Sequence, residues 1–334
     1  MSEPPSVSLV IPAHNEEEVL ERCLASAVPL MADNQVAEIL VVDDASTDRT
    51  AEIIRSFPQV TYVSGDGGGA GSARNLGFAR AQHPLIWFVD ADCVIEPDAL
   101  SFLRPHMDDP EVGGVSGSYG NMNEHAWLSS VIHEEIVQRH LRMDVEVNFL
   151  ATFNVLYRRD ILELVGGFDS TFRKAQDAEL SYRVRAAGYK LHFELRSRVR
   201  HFHEDSLLRY LQVQRQQGYY RIKMYERHPE KMAGDSYSGF LDHVQPPLAV
   251  LSASLPFLGP AAIAAPLAWV ALCGAPLPMT LRLLARTGDI RQLGYLPLSV
   301  IRSYARGAGL CEGVLDVVRN KIRRLGKPTA GEPS

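Results

Sequence analysis

Short apolar runs alternate with helix-like stretches through the first half of the chain. Runs at 7–11, 38–42, 60–64 and 84–89 are rich in Val, Ile and Leu and bounded by turn residues, which is the pattern of buried strands. Between them the spacing predicts helices over about 16–27, from a cap at Ser46 or Thr47 to about 57, and over 72–81. Further on, a helix is expected near Pro97, strands over 112–116 and 149–156, and helices over 123–144, 158–165 and 177–187. Gly188 ends the last of these at its C-cap. A β-α-β-α-β-α-β order predicts an α/β fold, a doubly wound, mostly parallel sheet flanked by helices.

The pattern changes after Asp242. From 243 to 281 the chain has no Asp, Glu, Lys or Arg. Residues 248–251 and 261–272 are apolar, and about 20 such residues suffice to cross a bilayer. This stretch, within 244–281, therefore predicts a C-terminal hydrophobic, membrane-associated helical segment, as one kinked span, two short ones or a re-entrant hairpin. Residues 293–318 are moderately apolar but interrupted by Arg302 and Arg306, which predicts an amphipathic helix lying at the interface. A basic tail over 319–327 suits anionic lipid headgroups.

Composition narrows the function classes. Of the 334 residues, 46% are hydrophobic, enough for a sizeable core, and the formal net charge of −6 argues against a nucleic-acid partner. The four cysteines have no metal-type spacing, which fits a reducing compartment. Residues 1–6 lack positive charge and a long apolar segment, so no secretory signal is expected and the catalytic part belongs on the cytoplasmic side.

Three expected strand ends carry polar clusters: Pro12-Ala13-His14-Asn15-Glu16, Asp43-Asp44-Ala45-Ser46-Thr47-Asp48, and Asp90-Ala91-Asp92. A doubly wound sheet brings such ends together along one edge, where ligands bind. Two carboxylates one residue apart repel each other and lose hydration unless a cation joins them. Hard oxygen ligands suit Mg²⁺ or Mn²⁺, ions that usually also hold phosphate oxygens. A turn with two solvated Asp residues is the plainer alternative. The glycine-rich loop 65–71 follows the third strand, not the first, so it is not a dinucleotide fingerprint. Arg74 just beyond it either neutralises a pyrophosphate or lies exposed.

These motifs, in order and spacing, resemble family 2 glycosyltransferases: Val-Ser-Leu-Val-Ile-Pro-Ala-His-Asn-Glu-Glu, Val-Val-Asp-Asp-Ala-Ser-Thr-Asp-Arg-Thr, Gly-Ser-Ala-Arg-Asn-Leu-Gly and Asp-Ala-Asp, continuing through Asn154, Gly166-Gly167-Phe168-Asp169 and Gln176-Asp177-Ala178-Glu179. The resemblance covers about 6–225. It implies a GT-A fold over 1–230, with a nucleotide-sugar-binding half (6–118) and an acceptor and catalytic-base half (119–230), followed by the membrane-associated region 231–334. It also implies a nucleotide-diphospho-sugar donor, a UDP-sugar first, and a divalent metal, Mn²⁺ or Mg²⁺. Pro12, His14 and Glu16 match nucleoside contacts, Asp44 the base-recognising carboxylate with Asp43 beside it, and Arg74 a nucleotide contact. Asn154 is grouped with these nucleotide-sugar-binding residues. Asp90 matches the carboxylate near ribose and metal, and Asp92 the direct metal ligand. Asp177 matches the catalytic base. His201 matches a histidine near diphosphate or metal, with His203 as the alternative.

The family usually has Glu where this chain has Gln176, which removes a like charge beside Asp177 and favours its ionisation. Glu179 is a competing base, but a helix sets it about 200° around from Asp177. Asp177 also reads as a helix N-cap. The Gln-x-x-Arg-Trp signature of processive synthases finds Gln212 and Arg215 here but no Trp. The expected function is therefore metal-dependent, inverting transfer of a single sugar to a glycan or lipid-linked acceptor at the membrane. The alternatives are a non-catalytic sugar-nucleotide scaffold or sensor and a nucleotidyltransferase. The acidic His14-Asn15-Glu16-Glu17-Glu18 disfavours the latter.

Overall fold

The computed structural model describes residues 6–229 and 236–325. The chain divides into two compact units, the first running through Asp205 and including the short stretch at Tyr237, the second made of the remaining C-terminal residues. The boundary expected at 230/231, like the end of the basic tail at 326–327, lies outside the described residues.

The first unit is built on a nine-stranded mixed sheet. Its strands are β1 (Val7–Ala13), β2 (Glu38–Asp43), β3 (Thr61–Ser64), β4 (Leu85–Val89), β5 (Cys93–Ile95), β6 (Val112–Asn121), β7 (Glu146–Val147), β8 (Asn154–Arg158) and β9 (Lys190–His201). The order is β3-β2-β1-β4-β8-β6-β9-β5, with β7 on β9. β3, β2, β1 and β4 are mutually parallel, as the alternating pattern predicts. β8 then enters antiparallel to β4, and from there the sheet is mixed.

Side chains alternate between two buried faces along each central strand. Leu9, Ile11, Val41 and Trp87 join one core; Val10, Val42, Ile86 and Phe88 join the other. Both faces are covered, so the central strands read as unbroken apolar runs. The helix Ala70–Arg80 packs against β1 at Gly77, where an added Cβ would lie 2.3 Å from Val10 Cγ1. Only glycine allows that approach.

Several boundaries differ from expectation for local reasons. The first helix begins at Leu20, not near 16, and runs to Ala32. Residues 16–19 form a turn, in which Glu16 O accepts from Val19 N at 3.1 Å and Leu20 N at 2.9 Å, held to the next loop by Glu16 N donating to Thr50 Oγ1 (2.8 Å) and Glu17 N to Asp48 Oδ2 (3.2 Å). The strand expected over 149–156 forms at Asn154–Arg158, because Leu150 N donates instead to Ser181 Oγ at 3.0 Å. β9 is an additional strand. Its sequence, Lys-Leu-His-Phe-Glu-Leu-Arg-Ser-Arg-Val-Arg-His, carries charge at alternate positions, and its pairing register against β6 shifts twice.

The second unit is helical, with helices Leu207–Arg227, Phe240–Ser254, Ala265–Gly274, Leu277–Thr287 and Tyr295–Leu325. Among the described residues one helical stretch, Gly259–Thr287, is long and apolar enough to cross a membrane. Phe257, Ile263, Leu267 and Val270 are exposed along or beside it. Arg302 and Arg306, which interrupt the apolar pattern of the last helix, are held by partners within this unit. Arg302 is buried and donates to the hydroxyls of Tyr210 (3.3 Å), Tyr295 (3.2 Å) and Ser299 (3.4 Å). Arg306 donates to Gln214 Oε1 at 2.7 Å and Asp242 Oδ1 at 2.9 Å. Both guanidinium groups therefore point into the helical unit, where hydrogen bonding offsets the cost of burying them.

Candidate active site

The ends of β1, β2 and β4 bring the three polar clusters to one edge. Pro12 is buried in β1, opposite Val42, and directs the chain into the exposed His14. His14 Nδ1 lies 2.8 Å from Asp44 O. Asn15, at φ 56°, accepts from Thr47 N at 2.8 Å and donates its own N–H to Ser46 Oγ at 2.9 Å, tying the two loops together. Ala45, at φ 59°, and Ala175, at φ 62°, also occupy the left-handed region. For a residue with a Cβ this costs about 1–2 kcal/mol, and such strain concentrates at functional sites.

Asp43 and Asp44 are both buried and have separate tasks. Asp43 accepts from Ser46 N at 3.0 Å and the Tyr62 hydroxyl at 3.1 Å. Asp44 accepts from Gly67 N at 3.0 Å and Gly69 N at 2.7 Å, so its carboxylate pins the glycine-rich loop. Gly67 and Gly69 have φ of 79° and 91°, which glycine adopts without strain.

Arg74 is not an exposed helix residue: it is 3% exposed. Its Nη2 donates to Asp90 Oδ1 at 2.5 Å, while Nε and Nη1 are buried with no partner. A buried guanidinium with unused donors is costly. Asp90 takes one arm and leaves the other two donors unsatisfied. The Gln176 Oε1 is likewise buried without a partner, at the start of the helix Gln176–Ala186.

Asp92 lies on the turn between β4 and β5. His201 ends β9 directly opposite Cys93. His201 Nε2 is 3.0 Å from Asp92 Oδ2, and the Cys93 thiol donates to Asp92 Oδ1 at 3.6 Å. One donor atom from each of Asp92, Cys93 and His201 falls within 4.8 Å of the others. Burial pushes the Asp92 carboxyl up, but the His201 charge together with hydrogen bonds from His201, Cys93 and its own backbone holds it below the usual range. Burial pulls His201 down, and Asp92, with Asp90 and Glu16 beside it, more than restores it, leaving the ring above its ordinary value. Burial pushes the Cys93 thiol well up, so it is protonated at neutral pH. Glu16 is pushed up to about 8, first by burial and then by Asp92 and Asp90. Carboxylates crowded enough to hold a proton at neutral pH form a donor set suited to a divalent cation.

Asp177 is the second residue of its helix, and its Oδ1 accepts from Ala178 N at 2.9 Å. The N-cap position itself belongs to Ala175, so Asp177 does not cap this helix. Burial raises its pKa, with Arg74 pulling it down and Asp90 pushing it up. Glu179 instead points to Arg183 Nε at 2.8 Å, and Arg183 also donates to Val165 O and Gly167 O. That pair holds the loop before the helix.

Asn154 does not join the cluster. It is fully buried, accepting from Trp87 Nε1 at 2.9 Å and donating to Ser197 Oγ at 3.1 Å, so it has no surface left for a ligand. His203 is buried behind His201, the two Nδ1 atoms 2.9 Å apart. Two contributors were not legible as such. Cys93 reads as filler although it adjoins Asp92. Tyr119, whose ring lies 4.9 Å from that of His201, sits near the end of β6 with no local pattern to mark it.

Residues 8–166 match the family model "Glycosyl transferase family 2". The chain is 32% identical over 209 residues to "Probable glycosyltransferase YdaM" of Bacillus subtilis (strain 168), covering 58% of this chain and 50% of the relative. It is 26% identical over 195 residues to "Glycosyltransferase AglE" of Haloferax volcanii, covering 57% and 64%. With the "Poly-beta-1,6-N-acetyl-D-glucosamine synthase" of Staphylococcus aureus (strain COL) it shares 23% identity over 199 residues, covering 56% and 48%. The chain thus spans less than two thirds of the length of each. Among solved structures, the mannosyltransferase PcManGT from Pyrobaculum calidifontis, in complex with GDP-Man and Mn²⁺, is similar in fold, at TM-score 0.59 and 19% identity over 94% of this chain and 88% of that one. With the family match lying across β1 to β8, and a mixed GT-A-type sheet carrying the same motifs to one edge, residues 8–166 are what the chain shares with glycosyl transferase family 2.

Proposed function

We propose that this chain transfers one sugar from a nucleoside-diphosphate sugar, a UDP-sugar first, to a hydroxyl of a glycan or lipid-linked acceptor, with inversion, at the cytoplasmic face of a membrane. The observation that carries this reading is Arg74, buried with two unused donors between Asp90 and the field of Asp177. An anionic diphosphate satisfies those donors. Asp92 and His201, with Asp90 beside them, are the residues that would hold Mn²⁺ or Mg²⁺, and a cation there stabilises the charge of the departing diphosphate.

The chain's own groups supply the rest. His14, Glu16 and the loop pinned by Asp44 form the wall for the nucleoside. Arg74 orients the diphosphate and neutralises part of its charge. Asp177 accepts the acceptor proton as general base; its burial raises its proton affinity toward the range useful for that task. Glu179 is committed to Arg183, so only one carboxylate is presented as base. One base without a second carboxylate as nucleophile supports direct displacement and inversion. The relative named as a poly-β-1,6-N-acetyl-D-glucosamine synthase supports a glycan acceptor class.

Calorimetric titration of nucleoside diphosphates and their sugars, with Mn²⁺ and then with chelator, tests the reading. Metal-dependent binding of one nucleotide, lost in Asp92→Asn, is expected. A folded protein that binds none of them is a scaffold, and the reading fails.

A further inference from the structure

Behind Asp92 three histidines stand in line. His201 Nε2 faces Asp92 Oδ2 at 3.0 Å, His201 Nδ1 faces His203 Nδ1 at 2.9 Å, and His203 Nε2 faces His133 Nδ1 at 3.2 Å. His203 is buried, and Asn123 grips its backbone from both sides. Asn123 Nδ2 donates to His203 O at 2.7 Å, and His203 N donates to Asn123 Oδ1 at 3.1 Å. Tyr119 packs its ring against both His201 and His203. These contacts seat His203 and hold its ring and that of His201 against Tyr119.

Two imidazole nitrogens within hydrogen-bond distance share one proton, so each link has one donor and one acceptor. With His201 Nε2 offered to a cation, the neutral ring would carry its proton on Nδ1. That proton must be donated to His203 Nδ1. His203 then carries its own proton on Nε2 and donates it to His133 Nδ1. Each neutral ring keeps one proton throughout, and no link has two protons or none. One end of the line fixes the whole order.

We propose that His203 and His133 are positioning residues, a proton-ordered chain that keeps His201 Nδ1 protonated and its Nε2 lone pair aimed at a divalent cation beside Asp92. This rests on the reading of Asp92 and His201 as cation ligands. Groups that orient a metal-bound histidine typically change metal affinity about 10–100-fold when removed.

The test uses the full chain with Mn²⁺ alone in a calorimeter, and ¹⁵N-histidine spectra with Mg²⁺. His203→Phe keeps the ring volume but offers no nitrogen, and Mn²⁺ affinity should fall by about 10–100-fold with the melting temperature little changed. His203→Asn places an amide oxygen near the Nδ1 position and should recover most of the loss. His133→Phe, one link further away, should lose less. In the wild type with Mg²⁺, His203 should be the Nε2–H tautomer. If Asp92→Asn abolishes Mn²⁺ binding while His203→Phe binds as the wild type does, the proton chain is overturned and the cation reading stands. If neither substitution weakens binding, both fall together. Should His203→Phe not fold, the wild-type spectrum decides, since His203 protonated at Nδ1 with Mg²⁺ bound overturns the proposal.

Discussion

At the scale of single residues, burial decides which of several similar groups can do chemistry. Asp177 and Glu179 are two residues apart on one helix, yet Glu179 is tied to Arg183 and Asp177 has Arg74 and Asp90 in its field. Asp177→Asn should leave donor binding intact and lower turnover by about 10²–10⁴-fold, read from kcat against nucleotide affinity. Full transfer by that variant would remove Asp177 from the base role. His140 makes a separate prediction. It is buried beside Phe153, Phe193, Tyr119 and Tyr237, and burial, with His133 and Arg139, lowers its pKa to about 3. Its folded pKa lies below the ordinary value of 6.5, so the unfolded chain takes up the proton first as pH falls. This contribution to stability is complete above pH 6.5 and erodes down to about pH 3, by about 1.4 kcal/mol per pH unit for one proton. His140→Phe should flatten that part of the stability curve in denaturant titrations between pH 7 and 4. An unchanged slope would mean that the ring is solvated.

At the scale of elements, contact distances set what each position tolerates. Gly309, inside the helix Tyr295–Leu325, faces the helix Leu207–Arg227 so closely that an added Cβ would lie 1.9 Å from Arg215 O. Glycine to alanine ordinarily strengthens a helix by about 1 kcal/mol. Here the backbone blocks the new methyl group, and Gly309→Ala should instead destabilise by about 1–3 kcal/mol. Gly274→Ala, with nothing within 4 Å of the added carbon, is the control and should be neutral or stabilising in the same melts. The elements that the sequence disclosed follow the same logic. β1 to β4 are buried on both faces, so their apolar runs stand out unaided. β9 pairs on both sides but carries charge at alternate positions, and it hides among polar residues. The strand-end clusters were legible because their carboxylates have no packing use. Asn154 was misleading because a fully buried amide serving Trp87 and Ser197 looks, in one dimension, like a binding residue. The buried placement of Arg302 and Arg306 was illegible because their partners, Tyr210, Gln214 and Asp242, lie far away along the chain.

At the scale of the whole molecule, the two units have opposite characters. The first has an apolar interior around its sheet. The second buries Arg302, Gln245, Gln292 and Ser303, and exposes Phe257, Ile263, Leu267 and Val270. Exposed apolar side chains of this kind mark a surface made for something other than water. Trp269, about half exposed on the helix Ala265–Gly274, is a built-in reporter. With Trp127→Phe to remove the other exposed indole, its emission should shift to the blue on adding anionic vesicles and be quenched by brominated acyl chains. Emission indifferent to lipid would sink membrane attachment through this unit.

β9 has a further consequence as a ruler. It runs without interruption from Lys190 to His201 and pairs with β5, β6 and β7. Its register against β6 shifts before Arg198, but from Arg198 to His201 the pairing with β6 is regular, and from Val199 on β5 pairs alongside; side chains there change face at every residue, so this last stretch sets where His201 stands. Removing one residue between Arg198 and His201 would turn the imidazole away from Asp92 while leaving every atom of the histidine intact. The chemistry at this edge therefore depends on length as much as on identity: insertions and deletions in β9 should be far less tolerated than substitutions on its solvent-facing arginines.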